Sequence, residues 1–170
     1  MSEEVAPRQT KEGTDWGRRV VWAVGLLAVL VIILLVASAT VPRWWAHRIG
    51  DQVDGSITQG TLLGLFYGFV FTLVPIALVM LLLRWRRTWK TIVVALVIGI
   101  VFALPNLMTL SIVIGRGNAA HAGDRTLDVD APAFRGGSLA GALLACALIG
   151  LVAYLIVSRN RARAVVTRDP

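Results

Sequence analysis

The stretch 60-GTLLGLFYGFVFTLVPIALVMLLL-83 carries no charged side chain and no histidine along its whole length. About 20 such residues match the roughly 30 Å hydrocarbon core of a bilayer. Inside hydrocarbon a backbone N–H or C=O finds no water, so a single crossing segment must satisfy its own hydrogen bonds as an α-helix. Working outward, residues 20–41, 91–114 and 138–157 are equally free of Asp, Glu, Lys, Arg and His. With 61–83 they predict an all-α membrane protein of four transmembrane helices. The chain has 170 residues, 56% hydrophobic and 16% charged, too apolar for an ordinary soluble domain. The expected division is a disordered tail over 1–19, a four-helix membrane domain over 20–157, and a basic tail over 158–170.

The net charge of +7 raises the question of nucleic acid, but the basic residues flank the spans and form no single module. Arg8, Lys11, Arg18 and Arg19 precede the first span, four more lie in 84-RWRRTWK-90, and Arg159, Arg161, Arg163 and Arg168 follow the fourth. The two remaining loops hold only Arg43, Arg48, Arg116, Arg125 and Arg135. Twelve against five places both termini and the middle loop in the cytoplasm, with anionic lipid headgroups as partners of the basic residues. All six tryptophans fall near a predicted interface. Arginine outnumbers lysine fifteen to two, which fits a GC-rich genome and a bacterial plasma membrane. The apolar run before 37-ASA-39 is longer than a signal-peptide core, so the first helix is expected to stay uncleaved. The single Cys146 reads as a small packing residue.

Two features repeat. Gly60, Gly64 and Gly68 are four residues apart, as are Gly137, Gly141 and Ala145. Small residues at this spacing lower one helix face, and in lipid such close approach drives helix association. The two outer loops, 43-RWWAHRIGDQVDGSITQGTLLG-64 and 116-RGNAAHAGDRTLDVDAPAFRGGSLAG-141, present matching groups in one order. Arg43 pairs with Arg116, His47 with His121, Asp51 with Asp124, Asp54 with Asp128, Gly60 with Gly137 and Gly64 with Gly141. This register is what two duplicated parallel hairpins would leave, or what coincidence among common residues would produce.

The candidate chemistry is sparse. His47, Asp51, His121 and Asp124 could converge on a divalent metal, against the plainer reading of solvated loop residues, turns and caps. Pro75 and Pro105 each free a carbonyl one turn back. Asn106, the one side-chain amide within a span, should face the bundle, either bonded to a freed carbonyl or neighbouring helix or forming part of a solute path. No Gly-x-Ser-x-Gly elbow, His-Glu-x-x-His or P-loop is present, and no Asp, Glu, Lys, Arg or His lies inside a span.

These features lead us to expect a protein without enzymatic activity or cofactor. The first expectation is an accessory or packing subunit of an envelope assembly, with a homo-oligomer or larger membrane complex as partner. A small oligomeric permease or channel for a neutral or weakly polar solute is the first alternative. An extracytoplasmic metal-binding or sensing protein is the second.

Overall fold

The computed structural model describes residues 15–84 and 88–166, and these form five helices: α1 (Asp15–Val53), α2 (Ile57–Arg84), α3 (Trp89–Ile114), α4 (Asn118–Asp130) and α5 (Phe134–Val166). The expected disorder of 1–14, Trp85 of the middle loop and Arg168 of the basic tail lie outside the described residues. Four helices, α1, α2, α3 and α5, are long and apolar enough to cross a membrane, which makes this a multi-pass membrane protein.

The helices overrun the expected spans. α1 begins before residue 20 and, although Pro42 removes one backbone donor, stays helical through the first predicted loop to Val53. The second predicted loop contains the whole of α4. α5 starts ahead of residue 138 and continues through much of the expected tail. The connection between α1 and α2 is correspondingly short. Asp54 (φ 49°) and Gly55 (φ 72°) take the left-handed conformation, and the Ser56 hydroxyl accepts from the Gln59 N–H to cap α2. Asp54 is thus a turn residue.

The chain divides into two compact units, Met1–Ala37 and Ser38–Pro170. In the first, every residue of α1 from Trp16 to Val36 is exposed, a surface that lipid tails satisfy. In the second, α2 is the central helix and packs most extensively on α5, then on α3.

Glycine sets the distance between α2 and α5. A Cβ built at Gly60, Gly64 or Gly68 would overlap the carbonyl oxygens of Pro132, Phe134 and Ser138, respectively. Reciprocally, a Cβ at Gly137 would come to 2.7 Å from the Thr61 oxygen, and one at Gly141 would overlap the Leu65 oxygen. Gly60, Gly64, Gly68, Gly137 and Gly141 are all buried, and so is Ala145. Cys146 is exposed, so Ala145 occupies the packing position and the expectation for the cysteine fails by one residue, about 100° around the helix.

The apolar core lies at one end of this bundle, among segments that the sequence reading treats as loops. Trp45, Ala46, Ile49 and Val53 of α1 pack with Leu127 of α4, Ala131, Phe134 and Ile112, and Leu63, Tyr67 and Met108 lean against them. Tyr67 is its aromatic hub. Its ring lies 5.8 Å from Trp45, 6.0 Å from Phe134 and 5.1 Å from Phe71. The Gly55 N–H donates to the Asp130 carbonyl at 2.8 Å and ties the α1–α2 turn to the end of α4. We call this assembly the cap.

Trp45 is buried, whereas Trp16, Trp22, Trp44 and Trp89 are exposed. The reason is geometric: on one helix Trp44 and Trp45 point about 100° apart, and only the second faces α2 and α3.

Substituting Gly68 by Leu forces α2 from α5 and is expected to lower stability by about 1–3 kcal/mol or more. Gly99 has nothing within 4 Å of its would-be Cβ, so Gly99→Ala is expected to be neutral or to stabilise by up to about 1 kcal/mol. Unfolding midpoints of both variants in a detergent titration check the contrast.

Candidate functional site

The outer loop groups are built from their helices upward. His47 and Asp51 stand four apart on an exposed face of α1, and the His47 ring nitrogen Nδ1 lies 2.8 Å from the Arg43 carbonyl of the preceding turn. His121 is exposed on α4. Asp124 and Asp128, one turn apart on α4, both receive the guanidinium of Arg135, which enters from the first turn of α5. Among the described residues no three His, Cys, Asp or Glu side chains come together as a metal would require. His47, Asp51, His121 and Asp124 are therefore not assembled into a centre. Asp124 serves as half of an acidic clamp on Arg135, and two carboxylates around one guanidinium leave that corner with a formal charge of −1.

The two loops do share a burial pattern. Trp45, Ala46, Ile49 and Val53 are buried on α1, and Ala119, Ala120, Gly123 and Leu127 are buried on α4 at the same spacing. Positions i, i+1, i+4 and i+8 make one face of any helix, so this stripe needs only that each segment be helical and packed.

The other polar constellation lies between α2, α3 and α5. Asn106 donates from Nδ2 to Thr72 Oγ1 at 2.8 Å and to the Gly68 carbonyl at 3.4 Å. Of the two bonding modes expected for it, the structure uses the neighbouring helix. Its other end is incomplete, because Oδ1 is buried and has no hydrogen-bond partner. One turn on, Thr109 donates to the Pro105 carbonyl at 3.0 Å and accepts from Trp45 Nε1–H at 3.0 Å. The indole of the cap thus holds the hydroxyl of a membrane helix in place.

These groups line an open groove of about 430 Å³. Thr72, Asn106, Thr109 and buried Ser138 supply its polar side, Leu110, Val113, Leu139 and Ala142 its apolar walls, and Arg135 stands at the end toward the cap. Chemically the groove offers neutral donors and acceptors on an apolar bed, with an already neutralised arginine at one end. It suits a molecule with an apolar body and a hydroxyl or amide, and gives no advantage to a free anion. Sequence reasoning found Asn106 from its polarity at depth, but Thr72, Thr109 and Ser138 passed unnoticed, since hydroxyls are common within spans.

Thr109→Val leaves the Trp45 N–H buried without its acceptor and is expected to cost about 1–3 kcal/mol. The double variant Trp45→Phe with Thr109→Val is expected to recover part of that loss, and the four unfolding midpoints of the double-mutant cycle measure it.

No family model, curated protein or solved structure matches this chain.

Proposed function

We propose that this multi-pass membrane protein is a non-enzymatic binding protein for a neutral, lipid-soluble ligand bearing a hydroxyl or amide, held in the groove between α2, α3 and α5. The observation that carries the reading is Asn106 Oδ1, a buried acceptor without a partner on a helix that lines the groove. A buried carbonyl oxygen left unpaired is costly, and a ligand O–H or N–H reaching it recovers that energy. Thr72, Thr109 and Ser138 add further partners beside it.

This reading keeps the neutral or weakly polar solute of the permease alternative and gives it a specific seat. The glycine faces behind the accessory-subunit expectation are occupied within the chain, with Gly60, Gly64 and Gly68 turned against Pro132, Phe134 and Ser138.

Native mass spectrometry of the detergent-purified protein mixed with dioleoylglycerol tests the proposal. The wild type is expected to retain the diacylglycerol, and Asn106→Leu to lose about tenfold or more of that retention. Equal retention by both proteins, or none by the wild type, would remove the reading.

A further inference from the structure

Away from the cap, the packing changes character. α2 and α5 are held together by Gly60, Gly64 and Gly68 in the half nearer the cap, and no glycine follows on α2. Toward Arg84 two apolar grooves open, both bordered by Leu81. One, of about 430 Å³ between α2 and α3, is walled by Leu78, Leu82, Val94, Ala95 and Ile98 and has Lys90 and Thr91 at its rim. The other, of about 330 Å³ between α2 and α5, is walled by Leu73, Ala77, Leu148 and Val152 and has Arg84 at its rim.

We infer that these two grooves seat the acyl chains of an anionic phospholipid, with Lys90 and Arg84 holding its phosphate-bearing headgroup. The charge pattern selects this occupant over a zwitterionic lipid. Between Ile57 and Ile114 the sequence has no acidic residue at all, while Lys90 and Arg84 each line one of the two grooves. A phosphate there meets cations with no carboxylate on α2 or α3 to compete for them, in contrast to Arg135, which Asp124 and Asp128 already occupy. Basic side chains at a membrane interface draw anionic headgroups, and apolar grooves between helices receive chains in place of free lipid. Both features occur where α2 ends at Arg84 and α3 begins at Trp89. The ligand class and place differ from those of the Asn106 groove, so the two sites stand or fall separately.

The test uses the full chain in mild detergent with two probes of identical acyl composition, palmitoyl-oleoyl phosphatidylglycerol and palmitoyl-oleoyl phosphatidylcholine, read by native mass spectrometry. Wild type is expected to retain the phosphatidylglycerol with a preference of about fivefold or more. Ala77→Phe with Ala95→Phe fills the grooves without changing charge and is expected to abolish that retention. Arg84→Gln with Lys90→Gln leaves the grooves open and is expected to bring the two lipids to equal retention; it decides the matter if the groove-filled protein does not fold. Equal retention of both lipids by wild type would overturn the inference, as would an undiminished preference in the charge variant. Preference that survives in a folded groove-filled variant would overturn it too, by showing adsorption to the basic segment alone. Asn106→Leu is expected to leave phosphatidylglycerol retention unchanged.

Discussion

The closeness of α2 and α5 is the constraint on which the rest depends. In lipid, helices gain little from burying apolar side chains, because hydrocarbon tails are as apolar as leucine. Close van der Waals contact must take that role, and it is available only where side chains are absent. Five glycines meet backbone of the opposite helix or, for Gly60, of the residues leading into it, so the two main chains approach without intervening side chains. This fixes α5 against α2, sets Ser138 beside the groove, and carries Arg135 to the place where Asp124 and Asp128 reach it.

The cap obeys the opposite rule. Its buried residues, Trp45, Ile49, Val53, Leu127 and Phe134 among them, come from segments rich in charge, where water is available to drive burial. The molecule thus joins two packing regimes along one axis, backbone contact without side chains in the apolar spans and a side-chain core at their end. The Trp45 to Thr109 hydrogen bond crosses between them. It makes the position of a groove hydroxyl depend on the order of the cap.

The four spans were legible because the bilayer demands long runs without charge, a requirement that 61–83 meets in plain view. The glycine spacing was legible as a low helix face, although nothing in it specified whether the opposing backbone belonged to the same chain. The cap was not legible as such. Polar residues such as His47, Asp51 and Asp124 have the composition of loops and the donor types of metal ligands, while the informative signal is the apolar stripe beneath them. Trp45, Ala46, Ile49 and Val53 are spaced as one helix face, and Ala119, Ala120, Gly123 and Leu127 repeat that spacing, but small residues give a weak hydrophobic signal. Asn106 was found as polar at depth, whereas its pairing with Thr72 joins residues 34 apart in sequence and needed the fold to appear.

One consequence of the α2–α5 contact concerns how this sequence can change. When a core packs side chain against side chain, an enlarged residue can be accommodated by shrinking the one it meets. Here the atoms opposing Gly60, Gly64 and Gly68 are the carbonyl oxygens of Pro132, Phe134 and Ser138, which every amino acid carries. No replacement at those three positions creates room, so genetic suppressors of a substitution at Gly64 should act by shifting a whole helix. They should arise at its ends, in the connection between α4 and α5, where Ala133 takes a left-handed φ of 64°, or in the cap.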